Sequence, residues 1–129
     1  DIYTKYIKEL SHLPDLAQEV VNNKKQISYL ASKFYNCQSI FFIGRNLDYA
    51  LGLEGSLKLK EISYIHSESY AAGELKHGTI SLIEPGTLVV ALATYSPLIE
   101  KTSANIVEVQ SRGAELISLT QKVTKAKYL

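Results

Sequence analysis

Three short apolar-rich segments stand out against the pattern of hydrophobic and polar positions along the chain. They cover residues 39–43, 87–94 and 114–120; the first is a continuous apolar run without alternation, and the third carries Glu115 and Ser118 among its apolar residues. Runs of this length and continuity predict strands buried on both faces of a parallel sheet. A fourth, shorter strand is expected over residues 65–69, where the side chains alternate from Tyr64 to Tyr70. Between the runs the apolar residues recur at helical spacing. Ile2, Tyr6, Ile7 and Leu10 predict one helix, and Leu16, Val20 and Val21, after Pro14, predict a second. Ile27, Leu30, Ala31, Phe34 and Tyr35 predict a third that ends near Asn36, with Asn22-Asn23 as the break and N-cap before it. Ser96-Pro97 is expected to open a later helix whose buried side is Ile99, Ala104, Ile106, Val107 and Val109, with Gly113 as its stop. Glu84-Pro85-Gly86 signals a turn. Strands alternating with helices predict an α/β fold, a doubly wound three-layer sandwich with a mostly parallel sheet, preceded by N-terminal helices. Residues 121–129 are polar and lack the further strand and helix that the alternation asks for.

The segment from Leu53 to Tyr64 departs from a simple amphipathic pattern. As a helix it places Glu54, Lys58 and Glu61 within an arc of roughly 60°, at the four- and three-residue spacings that make neighbours on a helix surface. Leu57 and Ala50 border this arc on one side, and Leu51 and Ile62 on the other. Gly52, Ser56 and Lys60 are then expected to face solvent, with the trio interrupting the apolar face. A carboxylate beside a lysine in a partly buried place is either a structural ion pair or a proton-transfer site. After the fourth strand comes Ala71-Ala72-Gly73-Glu74-Leu75-Lys76-His77-Gly78, a small turn that holds a histidine and a second acid-base cluster. Gly44-Arg45-Asn46 follows the first buried run. It therefore falls at the carboxyl edge of the sheet, where ligands collect in such folds. Arg45 can pair with a phosphate or with a neighbouring carboxylate.

Composition narrows the class. The chain has 129 residues, enough for a single domain over 1–129, and a formal net charge of +1. No basic stripe points to nucleic acid. The apolar runs are far too short for a membrane span, and the polar N-terminus has no signal-peptide pattern. Cys37 has no cysteine partner in the chain, which fits a reducing, cytoplasmic setting, and no residues show metal-ligand spacing. His12 reads as a solvated loop residue. The absence of methionine, even at position one, suggests a piece of a longer protein.

The candidate residues suit either a proton shift between adjacent carbons or a structural ion pair. Glu61, partly desolvated, suits the base. Lys58 suits the cation that holds developing negative charge. His77 can exchange a proton near neutral pH, or stand as a plain surface or hydrogen-bonded residue. Glu54 can orient Lys58, while Glu68, Glu74 and Lys76 have the weaker part of stabilising the turn.

Residues 54–62 together with Ala72-Gly73-Glu74-Leu75-Lys76-His77-Gly78 closely resemble the second sugar-isomerase (SIS) domain of the glucosamine-6-phosphate synthases. These enzymes are also called glutamine:fructose-6-phosphate aminotransferases. The match is continuous from about Tyr49 to Leu82, with looser similarity over most of the chain. The resemblance implies conversion of fructose 6-phosphate and glutamine-derived ammonia to glucosamine 6-phosphate, without a cofactor. It implies that Glu61 is the base between C1 and C2, that Lys58 assists, and that His77 opens the sugar ring at the site of a neighbouring subunit in a homodimer. It also implies two further partners in the parent chain, a first SIS domain carrying the phosphate-binding loop and a glutaminase domain, so that the fragment alone is expected to be inactive. Lys122, Lys125 and Lys127 do not match the family's C-terminal imine-forming lysine. Other readings remain at this stage: a non-catalytic phosphosugar-binding SIS regulatory module, an SIS phosphosugar isomerase or deglycase without a glutaminase domain, or a flavodoxin-like interaction domain.

Overall fold

The computed structural model describes residues 1–120; the expectations for residues 121–129, including the three lysines there, lie outside them. The chain divides into two compact units, Asp1–Asn36 and the residues from Cys37 onward.

The first unit is helical. It holds α1 (Ile2–Ser11), α2 (Leu13–Asn22) and α3 (Lys24–Phe34). Asp1 caps α1, its carboxylate accepting from the Tyr3 and Thr4 amides. Pro14 sits in the first turn of α2, where its missing N–H costs nothing. Asn23 stands at the break before α3, but its side chain does not cap that helix; its amide donates to Gln26 Oε1 instead. None of the three helices buries a residue, so Ile2, Tyr6, Leu10, Leu16, Val20 and Ile27 all remain exposed.

The second unit carries the sheet. Its elements are β1 (Ser39–Gly44), α4 (Leu47–Ser63), β2 (His66–Ala71), β3 (Leu88–Ala93), α5 (Ile99–Ser111) and β4 (Glu115–Thr120). Two 3₁₀ turns, Ala72–His77 and Thr79–Leu82, replace a helix between β2 and β3, and a third, Ser96–Leu98, leads into α5. The strand order is β2-β1-β3-β4, and every pair is parallel. Strand alternation sends Phe41, Ile43, Val89, Ala91 and Ala93 to one face. There they pack with Leu75 of the 3₁₀ segment, Ile106 and Val109 of α5, and Leu116 of β4. Phe42 and Leu92 point to the other face, against α4. The doubly wound three-layer sandwich expected from the alternation is the architecture of this unit.

Two helix faces differ from the sequence expectation. On α4 the buried positions are Asp48, Gly52 and Ser56, while Leu47, Leu51, Leu53, Leu57 and Ile62 are exposed. The helix lies so close to the sheet that only small residues fit beneath it. A Cβ on Gly52 falls 2.6 Å from Ser69 Oγ and 3.4 Å from Phe42 Cβ. Ser67 Oγ donates to the Ser56 carbonyl at 2.9 Å, so Ser56 Oγ is the donor in the 2.9 Å Ser56–Ser67 hydroxyl pair. On α5 the inner side is Ile99, Thr102, Asn105, Ile106 and Val109, and Ala104 and Val107 face outward. Polar Thr102 and Asn105 take those inner places because both are hydrogen-bonded, Thr102 to the Leu98 carbonyl and Asn105 to Arg45.

Asp48 joins the two central strands where the topology reverses, between β1 and β3. It is 2% exposed. Its carboxylate accepts from the Thr94 amide at 2.9 Å, the Thr94 hydroxyl at 2.6 Å and the Tyr95 amide at 3.0 Å. The start of α4 is thereby tied to the chain leaving β3.

Candidate functional site

The charged trio forms on α4 as its spacing requires. Lys58 Nζ lies 3.0 Å from Glu61 Oε2 and 3.7 Å from Glu54 Oε1. The hydrogen bond and charge of Glu61, then the charge of Glu54, raise the Lys58 ammonium above its ordinary value. The side chains are 59%, 55% and 52% exposed for Glu54, Lys58 and Glu61. This corrects the expectation of a partly buried trio. The reason is the inverted helix: with Gly52 and Ser56 toward the sheet, the charges point away from it, among the exposed leucines. Water screens an ion pair in such a place, and it does little for stability. Chemically, a lysine clamped between two carboxylates is a fixed cation beside a proton acceptor.

His77 ends the first 3₁₀ turn. Its Nδ1 lies 3.4 Å from Glu74 Oε2, and both side chains are largely exposed. It opens onto a cleft of about 490 Å³ lined also by Tyr70, Glu74, Thr79 and Leu82. Tyr70 donates its hydroxyl to Glu68, which also faces His66 at 3.6 Å. Burial, then the Glu68 hydrogen bond and charge, push the Tyr70 phenol up to about 12, so it stays a donor across the physiological range.

The trio and the histidine do not meet. Among the described residues no hydrogen bond or ion pair joins His77 to Glu54, Lys58 or Glu61. The topology explains why. Parallel pairing puts His66 level with Ser39 and Ala71 level with Gly44. Glu61, just before β2 begins, is therefore near the amino edge of the sheet, and the turn bearing His77 leaves from the carboxyl edge. Moreover α4 packs on the Phe42 face and the turn on the Phe41 face, so the sheet stands between them.

Arg45 is placed at the carboxyl end of β1, as expected, but its nearest partner is neither a phosphate nor a carboxylate. Its Nε and Nη2 both donate to Asn105 Oδ1, at 3.1 and 2.9 Å. Sequence reading missed Asp48, Asn105 and Glu108. An acid in the first turn of the helix after β1 was a usable signal for Asp48. Asn105 and Glu108 gave none, because their partners lie far away in the chain. Among the described residues no cluster of histidine, cysteine, aspartate and glutamate is arranged to hold a metal, and no helix is long and apolar enough to cross a membrane.

A profile of the SIS domain family matches residues 33–126. The chain is 55% identical over 116 residues to a glutamine–fructose-6-phosphate aminotransferase (isomerizing) of Caldanaerobacter subterraneus subsp. tengcongensis, covering 90% of this chain and 19% of the relative. A protein of the same name from Methanosarcina acetivorans is 47% identical over 119 residues, again covering 19% of the relative. The structure is similar to the C-terminal domain of glucosamine-fructose-6-phosphate aminotransferase from Francisella tularensis. The TM-score is 0.90 and the identity 34%, over 97% of this chain and 37% of that one. The chain thus spans about a fifth of the length of the curated relatives it matches.

Proposed function

The chain belongs to the SIS domain family, and we propose that it is the second SIS half of the isomerase region of a glutamine–fructose-6-phosphate aminotransferase. The observation that carries this reading is the clamped Glu54-Lys58-Glu61 cluster on the outer face of α4. A module that only binds a sugar phosphate has no use for a carboxylate held against a lysine. In the proposed reaction ammonia has condensed with C2 of the open-chain fructose 6-phosphate. Glu61 removes the proton from C1 while the imine nitrogen gains one, leaving an enolamine, and returns it to C2 while the C1 hydroxyl gives up its proton, so that C1 becomes the aldehyde of glucosamine 6-phosphate. Lys58 stabilises the negative charge that develops between the two steps, and Glu54 holds Lys58 in place. His77 exchanges the proton that the ring oxygen gains on opening.

Burial of Glu61 then comes from outside the described residues: the exposed leucines beside it invite a covering surface, and a first SIS domain of the parent chain fills that part in this reading. In this reading, as the family resemblance implies, the His77 of one subunit serves the site of another in a homodimer; the sheet that separates His77 from Glu61 within one chain supports it. The phosphate is held by the first SIS domain, ammonia comes from a glutaminase domain, and the location is cytoplasmic. By itself the piece 1–129 is expected to give no turnover.

The test is solvent deuterium incorporation at C1 of fructose 6-phosphate and at C2 of the glucosamine 6-phosphate formed from it, by the full-length polypeptide that contains these residues. Glu61→Gln is expected to abolish exchange while substrate still binds. Undiminished exchange reduces Glu61 to the ion-pair partner of Lys58. Binding without any exchange in the unmutated protein favours a non-catalytic SIS module.

A further inference from the structure

A chain of polar side chains links the tip of β1, the middle of α5 and the turn that carries His77. It starts at Arg45, whose Nε and Nη2 both donate to Asn105 Oδ1. Asn105 is 6% exposed, and its amide nitrogen donates to Glu108 Oε2 at 3.1 Å, one helical turn further along α5. The other oxygen of that carboxylate, Oε1, accepts from Lys76 Nζ at 2.6 Å. Lys76 is the residue before His77. The chain also closes on the turn a second time. Gly73 lies against the Arg45 guanidinium, where a Cβ falls 2.8 Å from Nη1 and 3.1 Å from Cζ and Nη2.

The turn is therefore held at three points: Gly73 on Arg45, Leu75 fully buried in the core, and Lys76 on Glu108. A 3₁₀ segment has poor hydrogen-bond geometry and holds its own shape weakly, so these outside attachments hold the backbone from which His77 projects. We propose that Asn105 and Glu108 are positioning residues for His77, acting through Arg45 and Lys76; the inference rests on the isomerase reading, in which His77 opens the sugar ring. Glu108 is well suited to the part. The Lys76 hydrogen bond, and next that of Asn105, hold its carboxyl below the usual carboxylate range. The link is complete above the ordinary carboxylate pKa and is lost only as pH falls through the lowered one. Arg45 has two donors committed to Asn105, which suits a fixed support better than a phosphate clamp.

The experiment compares two substrates in the full-length polypeptide. Fructose 6-phosphate must be ring-opened. The second, 5-deoxyfructose 6-phosphate, has no C5 hydroxyl to close a furanose and no free C6 hydroxyl for a pyranose, so it is always open. Glu108→Gln keeps the shape and removes the charge. It is expected to lower kcat on fructose 6-phosphate about tenfold or more with KM within about twofold, since small misplacements of a catalytic group are costly. Turnover of the open-chain substrate stays near that of the parent, and His77→Asn gives the same split. Glu108→Asp recovers part of the loss. Lys76→Met repeats the split from the 67% exposed end of the chain, where folding is not at risk. An equal loss on both substrates overturns the inference, because that is damage to the fold. So does a Glu108→Gln protein indistinguishable from the parent while His77→Asn still shows the split, and the role of His77 then stands. If His77→Asn shows no split, the role of His77 and the positioning inference fall together.

Discussion

Asp48 does for the second unit what no apolar side chain can: it ties two strand ends through a single carboxylate. Its three acceptor contacts come from Thr94 and Tyr95 across the reversal point of the sheet. Truncation takes the partner from two part-buried amides and a hydroxyl; an orphan costs about 1–3 kcal/mol when fully buried and less where water can reach it. Asp48→Ala is expected to destabilise the fold by roughly 2–4 kcal/mol, read as a lowered denaturation midpoint with an unchanged slope. Asp48→Asn retains part of the network and is expected to lose less. At this scale the sequence was legible where chemistry is written in local spacing. Glu54, Lys58 and Glu61 could be grouped from their three- and four-residue intervals, and the structure joins them. Asp48 and Asn105 depend on partners 46 and 60 residues away. Nothing local reports such a contact, so these residues looked like ordinary helix polar positions.

The two central strands, β1 and β3, were readable because burial on both faces leaves a nearly continuous apolar run, and β2 was readable from its alternation. α4 was the element most easily misread. Amphipathic reasoning assigns large apolar residues to the core and small or polar ones to solvent, and on this helix the assignment is reversed. Gly52, Gly55 and Ser56 form a flat strip over Phe42, which lets the helix axis come near the sheet and leaves the leucines outside. Bulk in that strip must lift the helix. Gly52→Val is expected to destabilise by about 1–3 kcal/mol through overpacking against Ser69, Phe42 and Leu92, despite the gain from removing a helical glycine. A thermal melt of the variant checks this, and a stabilised Gly52→Val protein would show that the gap is wider than the Cβ distances state. On α5 the misreading was of the same kind, with Asn105 taking an inner place that pattern alone gave to Ala104 or Val107.

For the molecule as a whole, two surfaces bear on assembly, each within its own unit. The helices of Asp1–Asn36 expose aliphatic and tyrosine side chains along α1 and α2. In the second unit the leucines of α4 surround the charged trio. Exposed apolar side chains gathered along a helix are the kind of surface that interfaces use. The sequence, which spans about a fifth of its curated relatives, carries the pattern of such faces but not the identity of what covers them. The same sheet that gives the second unit its core keeps His77 and Glu61 on opposite faces. That separation has a genetic consequence. In the homodimer proposed above, a Glu61→Gln allele and a His77→Asn allele, each impaired alone, are expected to complement when co-expressed, because a mixed dimer would hold one site with both groups intact. With random pairing of equal amounts of the two subunits, half of the dimers are mixed and each has one working site of two, so activity should return to about a quarter of the unmutated level. Two impaired copies of one gene are then expected to restore together an activity that neither restores by itself.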